Sequence, residues 1–263
     1  AQYMKKAQTA VVPRAEMQTA CANQWPSHAP QKLQDFEDCD YSAHAAESSV
    51  RHGFLRKVFG LVSMQLLATA AVCAFFMYCA PVREAVIHMP SLQLLCFFTS
   101  IGFLFGCFMH KDSHPTNLHC LAGFTLSIAT SIGTVCAIYQ ARGLGFVVLQ
   151  ALGLTASVTC ALTVYALRSK RDFSFMGAGL GAGLWVLLLG GLVASIGGAA
   201  TLHFACATGG AALFSLYIVY DVYMISKRTS PDDYIPAAIE LYLDIANLFL
   251  HILRILAAFQ NDR

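Results

Sequence analysis

The stretch from Ser215 to Leu256, SLYIVYDVYMISKRTSPDDYIPAAIELYLDIANLFLHILRIL, decides how this chain is read. It consists of two apolar segments joined by a short polar loop, and each segment carries one deep carboxylate, Asp221 in the first and Asp244 in the second. An ionised acid at bilayer depth costs at least ~2.5 kcal/mol, so such residues face a cavity, a partner or an ion path. The second segment has a further pattern. Glu240, Asp244, Asn247, His251 and Arg254 recur at steps of four, three, four and three. Those steps keep side chains on one helical face, while Leu241, Leu243, Ile245, Leu248, Phe249 and Ile252 cover the remainder. The stripe is expected to turn inward in a membrane bundle, because a helix lying on the membrane surface would carry many Lys and Arg on its polar face.

Working outward, the rest of the chain fits the same solvent. Of its 263 residues 57% are hydrophobic and only 12% charged, with a mean hydropathy of +0.57. A soluble domain carries roughly 25% charged residues, so the composition points to lipid. Uncharged stretches lie at 59–79, 91–109, 117–141 and 143–167, followed by a run without Asp, Glu, Lys or Arg from Phe173 to Tyr220. As one helix that run would reach ~72 Å, more than twice the hydrocarbon thickness, so it holds two spans. The break is expected at Gly197 and Gly198. The expected fold is an all-α seven-helix transmembrane bundle, six spans plus a final helix that either spans or re-enters.

Basic residues set the orientation. Arg51, Arg56, Lys57, Lys111, Arg168, Lys170, Arg171, Lys227 and Arg228 fall on one side, and only Arg83 and Arg142 on the other. The N-terminus is therefore expected in the cytosol. Residues 1–53, with Pro13, Pro26 and Pro30 and an acidic patch at Asp35, Glu37, Asp38 and Asp40, read as a disordered cytosolic tail lacking the h-region of a signal peptide. Residues 54–263 read as the transmembrane domain. The ten cysteines form no CxxC pair, and those in apolar helices read as small packing residues.

Depth allows the two aspartates to meet. Asp221 stands six residues before Lys227, ~9 Å into its helix, and Asp244 eight after Pro236, ~12 Å into the next. Antiparallel neighbours joined by a short loop place both at nearly one level. Two carboxylates in hydrogen-bond contact cannot easily both ionise in a low dielectric, so such a pair shares a proton. The same oxygens suit calcium as a weak, transient ligand set, since a tight site needs six to eight.

The quoted stretch closely resembles the signature of the Bax inhibitor-1 superfamily, and the chain is similar to its Lifeguard branch of transmembrane Bax inhibitor motif proteins. Matching pieces are FLRKVFGLVSMQLLATA at 54–70, PTN at 115–117 with FTLSIATSIGTV at 124–135, QALGLTA at 150–156 and KRDFSFMG at 170–177. The resemblance covers residues 51–259. It implies a seven-helix bundle of endomembranes, the endoplasmic reticulum or Golgi. It further implies a pH-sensitive calcium leak that governs calcium homeostasis and damps cell death. The family's pH-sensing aspartate latch matches Asp221 and Asp244. Glu240, Asn247 and His251 are candidates for accessory polar lining, and the latch-associated basic residue at the end of the second span falls at His110 or Lys111. The expected partners are the bilayer, calcium as the permeant ion and membrane proteins of cell-death or calcium signalling, with no tightly bound cofactor, no nucleic acid and no enzymatic activity. Two other classes fit the residues less well. One is a regulator that binds membrane proteins and conducts nothing. The other is an intramembrane aspartyl protease, which shares the paired aspartates but resembles its relatives in a GxGD element, whereas Leu241, Tyr242 and Leu243 precede Asp244 here. A seven-helix receptor is weaker still, for the loops are short.

Overall fold

A computed structural model describes residues 29–110, 113, 115–198 and 200–261, with side chains from residue 49 onward. Its helices are α1 (Ala29–Tyr78), α2 (Ala80–Ile87), α3 (Pro90–Met109), α4 (Thr116–Ala141), α5 (Gly145–Arg168), α6 (Met176–Gly197), α7 (Ala200–Lys227) and α8 (Tyr234–Asn261). Seven segments, Ser49–Tyr78 of α1 and α3 to α8, are long and apolar enough to cross a membrane. Of the segment 1–53 read as a tail, residues 1–28 lie outside the described residues, and α1 takes in the rest. The chain divides into Ala1–Ser49 and Val50–Arg263, and the bundle belongs to the second unit.

Helix ends follow local chemistry. Pro90 opens α3 at a position where a missing N–H costs no hydrogen bond. The expected break between the fifth and sixth spans is present: α6 ends at Gly197, and Gly198 caps it at φ 64°, the left-handed conformation that glycine alone adopts without strain. The α7–α8 loop is short, so these helices run antiparallel side by side, and α7 packs closely on α8.

α8 is the centre of the bundle. It packs on α7, α5, α4 and α3, and 61% of its most apolar window is buried, against 11% for α6. The final helix is thus long enough to cross fully: its 28 residues extend ~42 Å. Around it lies a core that includes Val58, Val62, Ile218, Val222, Leu241, Leu248 and Leu253. The outer helices expose their apolar side chains instead, Phe97, Phe98 and Phe105 on α3 and Trp185, Leu188 and Leu192 on α6. In water such faces would aggregate; in a bilayer they meet lipid.

Three polar ties hold the end of the bundle where α7 stops and α8 starts. The Arg51 guanidinium donates to the carbonyls of Thr229 at 2.8 Å, Lys227 at 3.2 Å and Ile225 at 3.4 Å, which caps the α7 C-terminus from another helix. Lys57 Nζ sits 5.7 Å over the Tyr234 ring. In the loop between α5 and α6, Asp172 accepts from Tyr223 Oη and from the Ser174 N–H, both at 2.8 Å, and meets Arg228 at 3.4 Å. Hydrogen bonds from Ser174 and Tyr223, with the Arg228 charge nearby, hold the Asp172 carboxyl down at about 2.

Candidate functional site

Asp221 and Asp244 come together. They project from α7 and α8 into the helix interface, are 9% and 7% exposed, and their carboxyl groups lie within hydrogen-bonding range of each other. A bond between them exists only while the pair holds a proton, since an ionised carboxylate is purely an acceptor. Asp244 Oδ2 has no hydrogen-bond partner. Glu240, one turn away, lies close enough to act on both aspartates electrostatically but is itself exposed. Tyr217, one turn along α7, stands within reach of both charges.

The expected inward stripe on α8 is thus divided. Asp244 and His251 are buried and Asn247 half-buried, with Asn247 Nδ2 donating to the Leu243 carbonyl at 2.9 Å. Glu240 and Arg254, at the two ends, are exposed. Because α8 is central, its apolar residues are buried as well, so position on the stripe alone does not determine burial. His110 is not brought to the pair; it is exposed at the end of α3, with Nδ1 3.2 Å from the Gly106 carbonyl of its own helix. Lys111 lies outside the described residues. Among the described residues no three His, Cys, Asp or Glu side chains converge as a metal site would require.

A second polar cluster, on the opposite side of α8, was missed in the sequence. Tyr242 is fully buried, its hydroxyl 2.8 Å from Thr69 Oγ1, with its ring edge-on to Phe124 at 6.3 Å. Nearby, Gln65 Nε2 donates to Thr125 Oγ1 at 2.9 Å. Residues two apart on a helix point ~200° from one another, so Tyr242 turns to α1 and α4 while Asp244 turns to α7. The signal available in the sequence was the row Gln65, Thr69 and Thr125 inside apolar spans, since polar groups there seek one another.

Residues 51–261 match the family model described as "Inhibitor of apoptosis-promoting Bax1". The chain is 42% identical over 222 residues to the "Golgi anti-apoptotic protein" of Vaccinia virus (strain Lister), covering 84% of this chain and 92% of that protein. It is 40% identical over 235 residues to "Protein lifeguard 4" of Mus musculus, covering 89% and 96% respectively. Against "Bax inhibitor 1" of Schizosaccharomyces pombe the identity is 36% over 216 residues, covering 81% and 79%. A family match across nearly the whole helical bundle, together with relatives aligned along most of their own length, makes this chain a member of the Bax inhibitor family.

Proposed function

We propose that this protein is a pH-sensitive calcium leak channel of endomembranes that damps cell death, with Asp221 and Asp244 as its latch. The observation that carries the reading is the buried carboxyl pair, within hydrogen-bonding range, between two adjacent antiparallel helices. Sharing one proton, the pair draws α7 and α8 together. A second proton removes the charge-assisted bond, and loss of the shared proton sets two anions against each other in a low dielectric. Either change loosens the helix contact. Two carboxylates with Glu240 nearby attract a divalent cation yet are too few to hold it, which suits passage rather than storage. The name of the viral relative favours a Golgi membrane and an anti-apoptotic role. The nine-to-two distribution of basic residues favours a cytosolic N-terminus, which puts the Lys227 end of α7 and the latch near the cytosol.

The test is calcium efflux from proteoliposomes between about pH 6 and about pH 8, with the parent, Asp221→Asn, Asp244→Asn and the double variant. Flux that follows pH in the parent and ignores it in the variants supports the latch. A folded parent that conducts no more than empty liposomes at any pH removes the channel reading and leaves a non-conducting regulator of other membrane proteins.

A further inference from the structure

Beyond the aspartates, the facing stripes of α7 and α8 continue in register. Seven residues from Asp221 is Phe214, and seven from Asp244 is His251, each ~10.5 Å along its helix. Since the helices are antiparallel, these two residues meet as the aspartates do: the rings of Phe214 and His251 stack at 5.5 Å with 25° between planes. Tyr217 lies between the two levels, its ring 6.0 Å from Phe214. On the same face of α7, one turn beyond Phe214, Gly210 packs against the imidazole so closely that a Cβ there would run into the ring. His251 is 7% exposed, and its Nδ1 has no hydrogen-bond partner. A buried polar atom left without a protein partner is satisfied by water when the site opens, so this ring belongs to a hydratable seam.

We infer that the Phe214–His251 stack, seated on Gly210, is the aromatic constriction of the ion path, one step beyond the aspartate latch and distinct from it. The inference rests on the channel reading above. The stack closes the seam to water while the helices are drawn together. When they separate, the imidazole leaves Phe214 and offers Nδ1 to water or to a passing cation, which an aliphatic side chain does not do. Narrow apolar constrictions gate by dewetting, so the ring's size governs flux and the carboxylates govern its response to pH.

The same proteoliposome assay separates the two roles. His251→Ala, which empties the constriction, is expected to raise calcium flux on the order of tenfold at every pH while the pH midpoint stays that of the parent. His251→Phe keeps an aromatic ring on Phe214 and is expected to hold flux at or below the parent value. Gly210→Ala pushes the imidazole from its seat and is expected to raise flux, with the double variant conducting no more than His251→Ala alone, because both changes act on one contact. Should His251→Ala not fold, the Gly210→Ala measurement decides: raised flux supports the constriction and unchanged flux overturns it. Parent-like flux in His251→Ala, with the aspartate variants still blind to pH, overturns the constriction and leaves the latch standing. A parent that does not conduct removes both.

Discussion

Tyr242 and Asp244 sit two residues apart on the same central helix and meet opposite surroundings. On the Tyr242 side every observed contact is neutral: a hydroxyl pair with Thr69, a ring against Phe124 and an amide–hydroxyl bond between Gln65 and Thr125, with Gln65 Oε1 the one oxygen of these groups that has no hydrogen-bond partner. On the Asp244 side the contact is between two acids, one oxygen has no partner, and the seam continues to an imidazole nitrogen that also has none. One face of α8 fastens the bundle, and the other keeps polar groups whose pairing depends on protons. Neutral hydroxyl pairs lose nothing across the physiological range, whereas a carboxyl pair changes its bonding with each proton gained or lost.

The most severe way to break this comparison is Tyr242→Ala. It empties a fully buried ring site and is expected to cost about 3 kcal/mol, read as a lowered thermal transition in detergent. The pH response of any folded fraction should survive; if it vanishes together with stability, the two faces are not separable. Next is Arg51→Ala, which frees three carbonyls at the α7 terminus and is expected to cost about 1–2 kcal/mol by the same measurement. Tyr242→Phe sharpens the contrast, since it deletes only the hydroxyl bond. A loss of about 1 kcal/mol is expected because Thr69 keeps its bond to the Gln65 carbonyl. Asp244→Asn, by contrast, should shift stability by under about 1 kcal/mol, as an amide still donates to Asp221, while abolishing the response to pH.

Asp172 gives the smallest effect, and its sign is fixed by its hydrogen bonds. Its folded value of about 2 lies below the ordinary 3.8. The stabilisation it provides is therefore complete above about pH 4 and disappears as pH falls towards 2. Asp172→Asn is expected to be slightly less stable than the parent at neutral pH, with the difference vanishing as pH falls towards 2, measured as stability against pH and the midpoint of acid unfolding.

Much of the architecture was legible because hydrocarbon is an unforgiving solvent. Lengths of uncharged sequence gave six spans, the interrupted apolar segment after Tyr234 gave the last helix, and the small-residue break at Gly197 and Gly198 fell where the left-handed cap stands. The aspartate pairing was legible from depth arithmetic, although α8 begins at Tyr234 and not at Pro236, so that Asp244 is ten residues into its helix. Periodicity put Glu240 and Arg254 on the same stripe as Asp244, and it was their places near the two helix ends, where polar groups reach the interface cheaply, that marked them as the exposed members. What sequence did not reveal depends on how helices sit around one another. Periodicity gave no sign that Tyr242, inside the same LYLD element, serves the opposite face. His110 was placed by its position after the second span, and the geometry of α3 keeps it with its own last turn.

The grip of Arg51 on the end of α7 has a consequence for assembly. Its three acceptors lie 174 to 178 residues further along the chain. At synthesis rates of roughly 5–20 residues per second, they emerge about 10–35 s after Arg51 itself. During that interval the guanidinium must be kept by water, lipid headgroups or the insertion machinery. The first span is therefore inserted well before its anchor exists, and the bundle closes late, only after α7 has been made.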